Sequence, residues 1–258
     1  MKQLIGATEL QLTDGSFMPV DSYKVISLIY NDLVRHVNYK EWGNYLTKLI
    51  KLHSINAENV LEIAAGTGNL SKMLQLPENK LFVITDLSYN MINQAPANIP
   101  KICADMTKLS FKSSFDLIFS TFDSVNHLPN EDELKQHFRE VHRVLKPGGY
   151  YFFDVVTEKN SEMYLKGFSR NRRKGIVVYS QESEYNKELS THFNRFKIAE
   201  NDQEFEIQEQ KEFIFPEELI ENILHGQSFT IYGKYDAFSL NPVDNLTLRI
   251  QYVIRRGK

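Results

Sequence analysis

Between residues 60 and 154 short apolar runs alternate with segments of helical periodicity. The runs at 60–65, 81–85, 115–119 and 150–153 have the length and composition of buried strands. Residues 131–145 instead place Leu134, Phe138, Val141, Val144 and Leu145 on one face of a helix. Upstream, residues 23–30 and 42–52 read as helices, the second with Trp42, Tyr45, Leu46, Leu49 and Ile50 on one side. From residue 175 the pattern becomes extended: 176–179, 189–198 and 204–215, the last two separated by Asn201-Asp202, predict an antiparallel meander. Pro216-Glu217-Glu218 opens a helix through Leu224, and 229–238 with 246–254 close the chain as a hairpin. The expected fold is α/β, a Rossmann-like doubly wound, mostly parallel sheet with N-terminal helices and an inserted antiparallel β-meander. Its expected parts are an N-terminal helical cap at 1–55, a core at 56–155, the inserted β subdomain at 156–215, and at 216–258 a helix and hairpin completing the core sheet.

The first apolar run ends in Ala64-Ala65-Gly66-Thr67-Gly68-Asn69-Leu70, a turn of small residues. Such a turn lets the backbone approach a ligand, and a helix from Leu70 would point unpaired N–H groups at the same place. Asp86 ends the next strand, where a carboxylate accepts from both hydroxyls of a ribose. A nucleotide-like ligand follows, with a nicotinamide dinucleotide and an adenosine-type cofactor as the alternatives.

The later motifs separate them. Cys103-Ala104-Asp105-Met106, Phe115-Asp116-Leu117-Ile118-Phe119-Ser120 and the run from Leu145 through Lys146-Pro147-Gly148-Gly149 to Asp154 follow in order at strand–helix spacing. With the glycine turn and Asp86 they resemble the class I S-adenosylmethionine-dependent methyltransferases over residues 58–155, and a hydride enzyme explains neither Asp105-Met106 nor the Lys-Pro-Gly-Gly turn. The resemblance implies S-adenosylmethionine as cofactor, held by Glu62, Ala64, Gly66, Gly68, Asp86, Leu87, Met91, Asp105 and Met106, with Asp105 and Met106 flanking the adenine. Ala64 stands where the family has its first glycine, which is compatible with a negative φ there. Small bacterial members carry a Tyr-Asp-x-Leu segment followed by a Tyr and a Trp; this chain has Tyr30-Asn31-Asp32-Leu33 and Tyr39-Lys40-Glu41-Trp42. The resemblance therefore assigns Tyr30 and Tyr39 to the cofactor pocket and leaves Trp42 as packing. Those relatives also have His-x-Gln-Arg-x-Tyr before the last helix, where this chain reads Gln208-Glu209-Gln210-Lys211-Glu212-Phe213. That departure puts the acceptor in question and keeps open an alternative, a cofactor-binding sensor without methyl transfer.

Composition narrows the partners. Thirty basic against 33 acidic residues give a net charge of −3, with Arg170-Asn171-Arg172-Arg173-Lys174 as the one dense basic run, read as a solvated loop. Nucleic acid is not expected, and a small-molecule methyl acceptor is. The single cysteine, Cys103, is expected to be a buried strand residue, and no Cys/His spacing suggests a metal. Met1-Lys2-Gln3-Leu4-Ile5-Gly6 lacks the apolar stretch of a signal peptide and no run reaches membrane-spanning length, so a cytoplasmic protein is expected.

The segment 120–128 follows the fourth core strand, where the family places the transferred methyl group. His127 is the candidate general base, because an imidazole titrates near neutrality and similar sugar N-methyltransferases have a histidine at a comparable place. Asp123 and Asn126 are the candidate substrate contacts, able to orient an amine or hydroxyl. On the meander Glu204, Glu206, Gln208, Gln210 and Glu212 share one face by alternation, read as a solvent face.

Overall fold

The computed structural model describes residues 9–11, 17–19, 21, 23–74, 76, 81–201 and 203–257. Met1–Gly6 and Asp202, used above, lie outside the described residues. Strands β1 (Glu9–Gln11) and β2 (Phe17–Pro19) pair as an antiparallel ribbon that the apolar pattern did not reveal. The helix expected at 23–30 is instead a 3-10 turn, Ile26–Leu28, running into the four-residue α1 (Tyr30–Leu33). Its apolar residues Val25, Ile26, Ile29 and Leu33 do not line a long helix. They insert against Val177, Tyr179, Phe196 and Ile198 of the meander. Helix α2 (Tyr39–Leu52) is regular, capped by the Asn38 side chain accepting from the Glu41 amide, and buries Trp42, Tyr45, Leu46 and Leu49.

Next come β3 (Asn59–Glu62), β4 (Leu81–Asp86), the single-turn α3 (Tyr89–Ile92), β5 (Lys101–Cys103), β6 (Phe115–Ser120), α4 (Glu131–Val144) and β7 (Leu145–Val156). α4 begins on Asn130, whose side chain accepts from the Glu133 amide, and its first turn holds Glu131, Asp132 and Glu133, the charge that the helix dipole favours there. A short α5 (Glu158–Ser161) leads into β8 (Phe168–Lys174), β9 (Val177–Asn186), β10 (Thr191–Glu200) and β11 (Glu206–Phe213). Helix α6 (Glu217–Gly226) and strands β12 (Phe229–Asp236) and β13 (Arg249–Arg256) end the chain.

The main sheet has seven strands in the order β12-β13-β7-β6-β3-β4-β5. β5, β4, β3, β6 and β7 are mutually parallel, while β13 pairs antiparallel with β7 and β12 with β13. From β3 the chain moves outward through β4 and β5, then returns to place β6 on the other side of β3. Ligands bind outside the carboxyl ends of strands at such a reversal. One sheet face is covered by α4 and α6 through Leu134, Phe138, Val141, Ile220 and Leu224; the other by α2. Among the described residues no helix is long and apolar enough to cross a membrane.

The meander is a separate four-stranded antiparallel sheet, β11-β10-β9-β8. Arg170, Arg172, Arg173 and Lys174, expected in a loop, belong to its edge strand β8; charged side chains on a half-exposed edge keep its unpaired N–H and C=O groups from docking a stray strand. Cys103 is exposed, not buried, because β5 is an edge strand of the seven-stranded sheet.

Candidate cofactor and acceptor site

The glycine turn does not launch the expected α-helix. Residues 66–73 form consecutive turns, with Lys72 and Leu74 amides bonding the carbonyls of Gly68 and Leu70. Within the turn Ala64, Gly66 and Gly68 all take the left-handed conformation, at φ 55°, 57° and 67°. The negative φ expected at Ala64 is therefore corrected: its methyl group is carried at a position that favours glycine. The two glycines do different work. A Cβ on Gly66 would point between Met91 Cε, 3.4 Å away, and the Tyr30 ring, 3.7 Å away, both of which line the cavity. A Cβ on Gly68 would meet Ala95 Cβ at 2.9 Å and Pro96 Cδ at 3.0 Å. Gly68, assigned above to the cofactor, does not line the cavity; it lets the turn pack on the segment after α3.

That cavity, of about 310 Å³, lies at the carboxyl ends of β3, β4 and β6. It is lined by Tyr30, Tyr39, Glu62, Ala64, Gly66, Asp86, Leu87, Met91, Asp105, Met106 and His127, so of the cofactor and catalytic candidates only Gly68 falls outside. Asp86 Oδ2 accepts from the Gly66 amide at 2.7 Å and Oδ1 from the Ser88 amide at 2.8 Å. Burial raises its pKa to about 6, against these two bonds, which lower it. Glu62 is buried beside the turn and pushed up to about 8 by desolvation, although the Ser71 hydroxyl donates to it. Asp105 Oδ1 accepts from the amide and hydroxyl of Thr107, which fixes the carboxylate at the cavity wall.

The N-terminal signature ties three parts together. Tyr30 lines the cavity; Asn31 Oδ1 accepts from Thr67 Oγ1 at 3.0 Å and Asn69 Nδ2 at 2.8 Å; Asp32 accepts from the Tyr179 hydroxyl of β9. Upstream, Asp21 takes the Ser88 hydroxyl and the Asn90 side-chain amide, both at 2.8 Å, and so closes the N-terminal segment over the Asp86 turn. Asp21, Tyr23 and Ser88 are cavity residues that the sequence reading missed, since none falls in a motif.

At the far end stands the segment after β6. Phe122 and Asp123 are both left-handed, at φ 60° and 54°, which turns the chain sharply into the 3-10 turn Ser124–His127. His127 Nδ1 lies 3.0 Å from the Lys211 carbonyl, which can only accept, so Nδ1 carries the proton and Nε2 the lone pair. The Tyr23 hydroxyl donates to that Nε2 across 3.4 Å. Burial lowers the His127 pKa, partly offset by Asp123.

Asn126, the other expected substrate contact beside Asp123, does not line the cavity. It is fully buried, with Nδ2 donating to the Phe213 carbonyl and Oδ1 accepting from the Val156 amide, so it locks β11 to β7. Asp123 also lies outside the cavity lining; its Oδ1 pairs with Arg249 at 2.7 Å, and Arg249 also bonds the fully buried Asp154. The solvent face expected on the meander is corrected too. Glu204 and Glu206 are exposed, but Gln208 accepts from the Ile26 amide at 3.0 Å, Gln210 is buried, and Glu212 stands close to His127 and Asp123.

The structure allows the cofactor to be tested against these residues. Each oxygen of Asp86 accepts one backbone N–H and keeps a further lone pair for a diol at the cavity that Asp86 lines, and the missing Cβ of Gly66 opens the backbone to a ligand. The site fits S-adenosylmethionine. Comparison with known proteins agrees: residues 60–149 match the family described as "Methyltransferase domain". A methyltransferase-designated protein of Geobacillus sp. strain WCH70 is 32% identical over 142 residues, 52% of this chain and 57% of that one, so the chain spans little more than half of that relative. The similarly designated YqeM of Bacillus subtilis is 28% identical over 224 residues, covering 81% and 87%. An S-adenosylmethionine-dependent methyltransferase crystal structure from Clostridium acetobutylicum superposes with a TM-score of 0.77 at 28% identity, over 92% of this chain and 99% of that one.

Fold, site and sequence thus define a nucleotide-binding α/β enzyme whose cofactor is S-adenosylmethionine. Residues 60–149 match a methyltransferase domain, and over most of its length the chain is similar to S-adenosylmethionine-dependent methyltransferases.

Proposed function

We propose that the chain methylates a nitrogen or oxygen nucleophile of a small molecule, with Asp86 holding the cofactor ribose, Asp105 and Met106 flanking the adenine, and His127 acting as general base. The cofactor, when bound, supplies an electrophilic methyl group on a sulfonium that is already a good leaving group. The protein then has three tasks: to hold the nucleophile in line, to exclude water, and to keep its lone pair free. Tyr30 and Tyr39 cover the cavity; burial raises the pKa of both phenols, so they stay neutral and offer electron-rich rings beside a cation. His127 Nε2 accepts the proton that the nucleophile sheds, displacing the long bond from Tyr23.

The observation that carries this reading is the orientation of His127. Its Nδ1–H is committed to the Lys211 carbonyl, so its basic nitrogen is turned away from the meander backbone, in the wall of the cavity that also holds Asp86. The recess of about 310 Å³ supports a small acceptor over a polymer. The test is release of S-adenosylhomocysteine across a panel of amines, phenols and alcohols by wild type and His127→Asn. Turnover by wild type, cut roughly a hundredfold in the variant with cofactor affinity retained, is the expected result. Equal turnover in the variant would remove the base role.

A further inference from the structure

Behind His127 the described residues hold a second constellation. Asp123, His127 from the turn after β6 and Glu212 from β11 bring ligand atoms within 4.8 Å of one another, and Asp154 lies beneath, bonded to the Asp123 amide at 3.0 Å. Three carboxylates here face one guanidinium. Arg249 is already committed, with one nitrogen on Asp123 and the other on Asp154. Glu212 has no salt bridge to a lysine or arginine among the described residues. Its Oε1 accepts from Asn194 Nδ2 at 3.1 Å, and its Oε2 lies 3.8 Å from His192 Nδ1. Burial and, after it, the nearby Asp123 push the Glu212 pKa up to about 8, against Arg249, which lowers it.

An independent observation marks the same place. His192 is 4% exposed, yet neither ring nitrogen has a hydrogen-bond partner, while its ring lies tilted against Tyr164 with centroids 4.5 Å apart and Nδ1 faces Glu212. A buried imidazole left unbonded costs free energy unless something else bonds it. Burial lowers its pKa, so it is neutral and brings no positive charge to Glu212.

We infer that this constellation is the acceptor subsite and that it receives an amine as its ammonium ion, held by Glu212 and the Asp123 carboxylate, with His127 at its boundary with the cofactor cavity. The inference rests on the methyl-transfer reading and narrows it from nitrogen or oxygen to a cationic nitrogen. An ammonium beside Glu212 offsets the burial that raises its pKa and draws it into the carboxylate form, and its N–H groups suit carboxylate oxygens. An alcohol brings no charge and leaves Glu212 as it is. A divalent cation suits the ligand set less well, because the guanidinium on Asp123 would repel it. In the reaction the ammonium gives one proton to His127 Nε2. The freed lone pair forms the nitrogen–carbon bond as the carbon–sulfur bond breaks, its electrons going to sulfur, and the methylated nitrogen keeps the positive charge.

The experiment uses matched probes, benzylamine with benzyl alcohol and glucosamine with glucose, titrated into the full-length protein saturated with S-adenosylhomocysteine. Wild type, Glu212→Gln and His192→Phe are compared, with melting curves and S-adenosylmethionine affinity measured alongside. Glutamine keeps an oxygen for Asn194, so Glu212→Gln is expected to fold. Amines should bind where their alcohols do not. Glu212→Gln should weaken amine binding by roughly tenfold or more while cofactor affinity stays within about twofold. Equal binding of amine and alcohol, no amine binding, unchanged amine affinity in Glu212→Gln, or an amine signal abolished by EDTA would each overturn the inference while normal cofactor binding left the transferase reading standing. Loss of cofactor binding in wild type would overturn both.

Discussion

Ala64 carries the cost of departing from glycine at a left-handed position. For an L-residue that conformation costs about 1–2 kcal/mol, partly offset by glycine's greater entropy loss on folding, roughly 0.5–1 kcal/mol. Ala64→Gly is therefore expected to raise the melting temperature by about 1–3 °C, read by differential scanning calorimetry, and a lower melting temperature would show that the methyl group packs favourably. His127 makes a sharper prediction. Its pKa is lowered by burial, so the imidazole is already the free base at neutral pH and loses that form as pH falls through its lowered value. At saturating cofactor the turnover of wild type should rise with pH across that window and then level off; His127→Asn should lose the rise, with melting curves matched. The residues legible in the sequence were those whose chemistry is local: Asp86 ends an apolar strand and Gly66 sits in the turn before it. Glu212, Asp154 and Arg249 were not legible as a unit, because β11, β7 and β13 are far apart in sequence and only antiparallel pairing of β7 with β13 and the Asn126 lock bring them together.

At the scale of elements, the glycine turn separates two effects that the sequence merges. Gly66→Val places a branched side chain between Met91 and Tyr30, in the cavity wall, whereas Gly68→Val drives it into Ala95 and Pro96. Both strain a positive φ, so both lower the melting temperature. Cofactor binding should vanish in folded Gly66→Val, while Gly68→Val should show the larger loss of stability and bind cofactor in whatever fraction folds; calorimetry and melting curves on both variants check this. The reverse pattern would assign the ligand contact to Gly68. The core strands, α2, α4, α6 and the closing hairpin were readable because long periodic faces and apolar runs decide those elements alone. The helix expected at 23–30 failed because Val25, Ile26 and Ile29 are recruited by the meander, a tertiary demand that overrides local periodicity. The edge strand β8 was hidden by its charges, which describe an unprotected edge as well as they describe a loop.

The whole molecule is a sheet whose carboxyl ends are roofed by the N-terminal segment and the meander, joined through Asp32–Tyr179 and Asn31–Thr67. Binding to the folded form alone should stabilise it by about 2.7 kcal/mol at a hundredfold excess over Kd, a melting shift of roughly 5–10 °C with S-adenosylmethionine. Asn31→Ala, which frees the roof from the turn, should reduce that shift. Asp86 is proposed to anchor the cofactor as a carboxylate. Desolvation holds its pKa near 6, above the ordinary value, so it is ionised at pH 7.5 and becomes protonated as pH falls below about 6. The most direct test is calorimetric titration of S-adenosylmethionine between pH 5 and 8 into wild type and Asp86→Asn. Wild-type affinity should fall roughly tenfold between pH 7.5 and 5, and the variant should bind at least tenfold more weakly at pH 7.5 with a flatter profile. Equal affinities at pH 7.5, in a variant that melts like wild type, would show that the Asp86 carboxylate does not hold the cofactor.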